Sequence, residues 1–466
     1  MESLCEKTEQ ALERTMQIAA ALLEAEAREG VVPHRTPEEM FEHLDLEVHE
    51  DGMPSEMVFD QLERIVLATP RTGTDRFYNQ LFAGRDPVAS AAEMLTVMLN
   101  SSMYTYKVAG PHVLIEEELT QQMCQLVGYE DGEGIFTPGG SLSNFVGMMI
   151  ARNEARPGIP DLGMTGPPMV VYSSNLGHYS VMKDVAMLGL GRKSVRKVDT
   201  DSRGRMCPSA LRRRIEEDLA AGHQPFMINA TAGTTVLGAF DPLDTIGAIA
   251  KEFGLWLHVD AAFGGSALVS EQYRENLVGS ELTDSFTWDA HKLMGVPLSC
   301  SVILVKQRGL LEKHCSEDAK YLFQSDDEGE YDHGTRSIQC GRRNDSLKLW
   351  ASWKHLGHTG FAQRIDHLYE MAQYAAERVA AHPDMVLSKE PESVNVCFEV
   401  VGKPSDQICE YLRRAQQAVV GFAIVDGRRV IRAAFPNADL TTEAIDRLID
   451  DIADAAQHVP DGCNAV

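Results

Sequence analysis

Between about Arg76 and Glu312, apolar β-rich runs alternate with helical patterns, and this alternation limits the fold of the chain more than any other feature. The clearest runs are Met169-Val-Val-Tyr-Ser173, Phe226-Met-Ile-Asn-Ala230, Leu255-Trp-Leu-His-Val-Asp260 and Cys300-Ser-Val-Ile-Leu-Val305. They are apolar throughout instead of alternating with polar residues, which is the mark of strands buried on both faces. The expected architecture is therefore α/β, with a mostly parallel central sheet covered by helices. At 466 residues the chain exceeds one ordinary domain. The pattern divides it into an N-terminal helical segment over 1–75, a large domain over 76–355 and a smaller C-terminal α/β domain over 356–466.

Residues Leu4 to Glu29, rich in Ala, Glu, Leu and Met, predict a helix ended by Gly30. A polar stretch, Gln324 to Gly334, reads as a surface loop. A helical segment from Ser346 to about His382 leads into strand-like Asn395–Val401 and Arg429–Phe435. The last helix carries Ile445, Leu448, Ile449 and Ile452 on one stripe, with Thr441 or Thr442 as its cap.

Acidic residues outnumber basic ones by 69 to 43, a net charge of -26 that repels nucleic acid and anionic lipid. No apolar run approaches the roughly 20 residues needed to span a bilayer. The N-terminus carries acids and lacks the basic flank and apolar stretch of a secretion signal. The nine cysteines are scattered singly, so neither a zinc site nor a disulfide framework is indicated, and the cytoplasm is the expected location.

Several segments carry reactive groups to places where an α/β fold binds ligands. Lys292, in Trp288-Asp-Ala-His-Lys292, follows a strand-like stretch and sits among small residues, where a lysine amine can condense with an aldehyde. Gly134-Ile-Phe-Thr-Pro-Gly-Gly-Ser-Leu-Ser-Asn144 runs into a helix, and glycines that open a helix suit a phosphate. Asp260 ends a strand, which puts a carboxylate at the C-terminal edge of the sheet, where it needs a cationic partner. The hydroxyls of Thr231-Ala-Gly-Thr-Thr235 would line the same edge, and His178 follows another strand, where its ring could lie flat on an aromatic cofactor.

These blocks, in this order, resemble the group II pyridoxal-phosphate decarboxylases, within them the branch of glutamate decarboxylase and cysteine sulfinate decarboxylase. The resemblance runs from Arg76-Phe-Tyr-Asn-Gln-Leu-Phe-Ala-Gly84 to Arg432 and includes Gln339-Cys-Gly-Arg342. It implies an aspartate-aminotransferase-like (fold type I) enzyme, with pyridoxal 5′-phosphate in the large domain. It further implies that Lys292 carries the cofactor and that Asp260 partners the pyridine nitrogen. By the same resemblance His178 and Ala262 cover the two ring faces, and Thr235 stands beside the cofactor. Gly139, Gly140, Ser141 and His291 match positions that hold the phosphate. Asp289 stands where several relatives use asparagine for that task, and an acid beside a phosphate dianion repels it unless protonated or turned away.

Arg432 lies mid-strand, where an unpaired guanidinium is costly. The resemblance gives it the substrate α-carboxylate, and gives Gln80 the substrate side chain. Ser102 and Tyr104, in Ser101-Ser-Met-Tyr-Thr-Tyr106, match decarboxylases of cysteine sulfinate and aspartate better than those of glutamate, because a tyrosine hydroxyl shortens the pocket. The expected reaction is α-decarboxylation of aspartate or cysteine sulfinate, with cysteate as a further substrate. Glutamate, or a phosphonate analogue of aspartate suggested by Lys107 and His112, is the alternative. Gln80 and Ser102 argue against an aromatic substrate or aldehyde synthase, and the intact cofactor positions argue against a noncatalytic homologue. Either Tyr331 or His333 is the candidate proton donor to the α-carbon. The family's shared active sites imply a homodimer.

Overall fold

The computed structural model describes residues 3–31, 34–48, 50–317, 319 and 329–466. Residues 324–328 of the polar stretch lie outside the described residues. In chain order the strands are β1 (Phe77–Tyr78), β2 (Glu133–Thr137), β3 (Met169–Ser174), β4 (Val195–Val198), β5 (Gln224–Thr231), β6 (Trp256–Asp260), β7 (Ser285–Asp289), β8 (Ser301–Val305), β9 (Met385–Leu387), β10 (Asn395–Val400), β11 (Val419–Val425) and β12 (Arg428–Ala434).

The chain forms two compact units. The larger comprises Arg85–Gln373 and Lys389–Val396. Its seven-stranded sheet has the order β2-β8-β7-β6-β5-β3-β4. Neighbours from β7 through β4 pair in parallel, whereas β8 runs antiparallel to both β7 and β2. Strands β2, β3, β7 and β8 are buried along their whole length, which explains why they read as continuous apolar runs.

The helix Gly140–Ala155 lies on this sheet. Val146 and Ile150 pack with Ile135, Ile303 and Val305, and Met148 and Ala151 pack with Val171 and Met227. Fully burying an aliphatic side chain of this size stabilises by roughly 1.5–3 kcal/mol. Several such contacts hold the glycine-rich start of the helix against the strand ends.

The smaller unit comprises Met1–Gly84, Tyr374–Ser388 and Cys397–Val466. Its sheet has the order β1-β11-β12-β10-β9. The helix Leu4–Glu29 starts with a reciprocal capping box between Ser3 and Glu6 and ends at Gly30. It buries only Ile18 and Ala25 and is tied by Arg14 to Asp60 and Glu63 of the helix Ser55–Ala68. The final helix, Thr442–His458, is capped by Thr441 and buries Ile445, Leu448, Ile449 and Ile452.

Candidate active site

The site lies in the larger unit, at the C-terminal ends of β3, β6 and β7 and the start of the helix Gly140–Ala155. A Cβ placed on Gly140 would lie 2.7 Å from Asp289 Oδ2 and 3.1 Å from the Ala262 methyl. Only glycine lets the backbone approach both, which brings the helix N-terminus, Ala262 and Asp289 into contact. That 16-residue helix points its positive dipole end and its first backbone N–H groups toward this spot, with Gly139 and Gly140 half-buried and Ser141 exposed.

Asp260 is the last residue of β6 and is 6% exposed. Its Oδ2 accepts a hydrogen bond from Asn144 Nδ2 (2.9 Å), and its Oδ1 accepts one from the Ala262 backbone N–H (3.2 Å). Among the described residues no lysine, arginine or histidine forms an ion pair with it. A buried carboxylate held by neutral donors alone is suited to a cation supplied from outside the chain, such as a protonated pyridine.

Asp289 ends β7, and a tight turn brings the amine of Lys292 back to it, Nζ to Oδ2 3.2 Å. Ser301 Oγ donates to Oδ1 of the same carboxylate, and His291 Nε2 lies 3.7 Å from Oδ2. Asp289 is thus turned toward Lys292 and Ser301. His291 Nδ1 meets the backbone of Cys300, and burial depresses the imidazole pKa, which favours the neutral ring. His178 accepts from the Ser180 N–H at Nδ1 (3.3 Å), and burial depresses its pKa too. Asp260, Lys292 and Asp289 all lie close enough to bias that titration, so these four side chains share one site.

The threonines after β5 differ in placement. Thr234 is buried and its hydroxyl accepts from Ala239 N–H, whereas Thr235 is exposed, with its carbonyl accepting from Asn395 Nδ2. Thr231, paired with Asp260 across the sheet, keeps a buried hydroxyl without a partner at the strand ends.

Ser102 and Tyr104 are half-buried, and their segment is stitched to residues 332–342. Arg342 N–H donates to Ser102 Oγ (3.2 Å), Gly334 N–H to the Tyr104 carbonyl (2.8 Å) and Tyr106 N–H to Asp332 Oδ1 (3.0 Å). Tyr331 is 36% exposed and its ring lies 5.9 Å from that of Tyr106. His333, in contrast, is buried against Glu116, Nδ1 to Oε2 3.1 Å. In the smaller unit Arg432, on β12, is 9% exposed and donates to the Asn79 carbonyl (2.9 Å), next to the exposed Gln80.

Residues that motif reading did not assign are Asn144, which holds Asp260, and Glu116, which holds Arg342. For Asn144 the signal was available, because it lies one helical turn beyond Gly140 on the face turned to the sheet.

Residues 37–401 match the pyridoxal-dependent decarboxylase conserved domain. The chain belongs to this family. It is similar to the cysteine sulfinic acid decarboxylase of Mus musculus, 43% identical over 383 residues, which covers 81% of this chain and 78% of the relative. The acidic amino acid decarboxylase GADL1 of Bos taurus is 41% identical over 374 residues, covering 79% and 72%. The crystal structure of mouse CSAD superposes with a TM-score of 0.90 at 36% identity, covering 96% of this chain and 98% of that one. The chain is a pyridoxal 5′-phosphate-dependent amino-acid decarboxylase with the fold type I architecture, and the Asp260 carboxylate, which has no ion-pair partner among the described residues, and the amine at Lys292 fit that cofactor. Among the described residues no helix is long and apolar enough to cross a membrane.

Proposed function

We propose that this pyridoxal-dependent decarboxylase removes the α-carboxylate of a small acidic amino acid, cysteine sulfinate or aspartate, and acts as a cytoplasmic homodimer. The observation that carries the site assignment is the buried Asp260 carboxylate, which has neutral donors and no ion pair among the described residues, in one site with Lys292 and His178. Relatives at 41–43% identity that act on cysteine sulfinic acid or acidic amino acids support the substrate class.

When bound, pyridoxal 5′-phosphate supplies the conjugated cation that accepts the electron pair released with carbon dioxide. Lys292 Nζ is the amine that would hold the cofactor covalently. Asp260 would keep a proton on the ring nitrogen, and His178 and Ala262 would cover the ring and exclude water. Gly139, Gly140, Ser141 and His291 hold the phosphate at the helix N-terminus, with Thr235 and Asp289 beside them. Arg432 receives the substrate α-carboxylate as a charge-assisted pair, and Gln80, Ser102 and Tyr104 read the side chain. Tyr331 delivers the proton to the α-carbon. The negative charge of Glu330 pushes its phenol pKa up, so the hydroxyl keeps its proton at neutral pH. The burial of His333 against Glu116 favours Tyr331 for this role.

The test is carbon dioxide release from aspartate, cysteine sulfinate, cysteate, glutamate and aromatic amino acids, beside the visible absorption of the purified protein. Cysteine sulfinate or aspartate should lead, and Lys292→Ala should abolish both turnover and covalent cofactor. Glutamate as the best substrate would sink the pocket assignment of Ser102 and Tyr104. A Lys292→Ala protein that still turns over would sink the site.

A further inference from the structure

Behind Asp260, five buried or half-buried side chains form one hydrogen-bond chain whose direction is set from its carboxylate end. Trp256 Nε1 donates to Ser285 Oγ (2.8 Å), Ser285 Oγ meets His258 Nδ1 (2.8 Å), His258 Nε2 meets Asn144 Oδ1 (3.0 Å), and Asn144 Nδ2 donates to Asp260 Oδ2 (2.9 Å). An indole N–H can only donate and an ionised carboxylate can only accept. With Asn144 Nδ2 turned to the carboxylate, its Oδ1 accepts from His258 Nε2–H, which leaves Nδ1 of a neutral ring bare to accept from the Ser285 hydroxyl. The second hydrogen of Asn144 Nδ2 goes to Ser180 Oγ (3.2 Å), so both amide hydrogens are used in this orientation.

The chain runs through the interior of the larger unit. His258 and Ser285 are 0% exposed and Asn144 is 1% exposed. Burial drives the His258 pKa down to about 3, so the ring is a neutral imidazole with one donor and one acceptor. Gly147 makes room for it, because a Cβ there would lie 2.7 Å from His258 Nδ1. His258 and Asp260 lie two residues apart on β6, which puts both on the face that the helix Gly140–Ala155 covers.

The consequence concerns one rotation. Were the Asn144 amide turned over, its oxygen would face the Asp260 carboxylate, and only a protonated Asp260 could bond to it. The Nε2–H of His258 opposes that turn, since it would then meet the amide N–H₂, and moving the proton to Nδ1 would take from the buried Ser285 hydroxyl the acceptor it donates to.

We propose that His258 and Asn144 are positioning residues for the cofactor: His258 locks the Asn144 amide with its N–H₂ toward Asp260, which keeps Asp260 ionised and able to hold the proton on the ring nitrogen. This rests on the reading that Asp260 faces that nitrogen.

The experiment titrates apo-protein with pyridoxal 5′-phosphate to obtain its Kd, and records the visible spectrum of each loaded variant. His258→Leu should weaken cofactor binding about 10- to 100-fold, the range for removing a residue that orients a ligand, and should displace the visible band. His258→Gln, whose side-chain N–H can reach Asn144 Oδ1, should recover the wild-type band and affinity to within about threefold. Asn144→Leu should match His258→Leu, and the double variant should be no worse than Asn144→Leu alone, because the two act in series. Ser285→Ala leaves the His258–Asn144–Asp260 part of the chain in place while removing the bonds to Nδ1 and from Trp256 Nε1, and should show the same spectral displacement in smaller degree, which keeps the test decisive if His258→Leu does not fold. Asp260→Asn separates the two levels. If it leaves affinity and spectrum unchanged, the reading of Asp260 falls and takes the proposal with it. If it changes both while the His258 variants do not, or if the His258 and Asn144 effects simply add, the proposal alone is overturned.

Discussion

Arg342 grips Glu116 with two parallel hydrogen bonds, Nη1 to Oε1 2.6 Å and Nη2 to Oε2 2.8 Å, with both side chains almost wholly buried. Burial alone would push the Glu116 pKa up, but the guanidinium outweighs it and holds the carboxyl well below the usual range. Arg342 also donates to the Met103 carbonyl (2.8 Å), so the pair fastens the segment that carries Ser102 and Tyr104. Glu116→Gln should leave a buried, unpaired guanidinium and destabilise the fold by about 3–5 kcal/mol, read as a lowered unfolding midpoint. A variant as stable as the parent would show that the pair is energetically idle.

The same fastening predicts how selectivity can be changed. Because the backbone of Tyr104 is fixed by Gly334 and that of Met103 by Arg342, substitutions here should alter pocket contents without moving the wall. Ser102→Asn with Tyr104→Phe removes the hydroxyl proposed to shorten the pocket. The ratio of kcat/KM for glutamate over cysteine sulfinate should rise by about tenfold, the scale set by one methylene of fit. An unchanged ratio in a carbon dioxide release assay would mean that these residues do not read the side chain.

The strand ends that carry Asp260 and Lys292 were legible in the sequence because strands buried on both faces leave continuous apolar runs, and a charged residue ending such a run stands out. The helix Leu4–Glu29 was legible to its last residue, since Gly30 stops it. Glu116 was not, because an acid among Glu116-Glu-Glu118 reads as solvated surface, and its partner lies 226 residues along the chain. His258 was readable only in part. Its place beside Asp260 follows from the two-residue strand period, but its partner Asn144 comes from a helix 114 residues earlier. The inward turn of Thr234 and the outward turn of Thr235 depend on how the loop after β5 closes, which strand patterning does not encode.

Asp289 offers a test of electrostatics at the helix N-terminus. Its Oδ2 lies where a Gly140 side chain would begin, and it forms an ion pair with Lys292. A phosphate bound at Gly140 meets this charge at short range in a half-buried site, where salt screens the repulsion in part. Asp289→Asn should therefore tighten binding of pyridoxal 5′-phosphate by about tenfold, with the gain larger at low ionic strength. Weaker binding by the variant, measured by titration of apo-protein, would mean that the acid takes part in holding the phosphate.

Asp184 predicts a pH dependence of stability. It is 1% exposed on the helix Ser180–Met187, and its Oδ2 has no hydrogen-bond partner. Burial first, and the nearby Asp260 second, raise its pKa to about 7. The folded chain thus holds a proton that the unfolded chain releases near pH 3.8, its ordinary value. The stabilisation is complete below that pH and is lost as pH rises toward about 7, at roughly 1.4 kcal/mol per unit. Asp184→Asn keeps the shape and cannot ionise, so its stability relative to the parent should climb between pH 5 and pH 7 by about 2–3 kcal/mol and level off above. Urea unfolding of the apo-proteins at pH 5, 6, 7 and 8 measures this difference. A difference that stays constant across that range would show that Asp184 is ionised in the folded protein at pH 5.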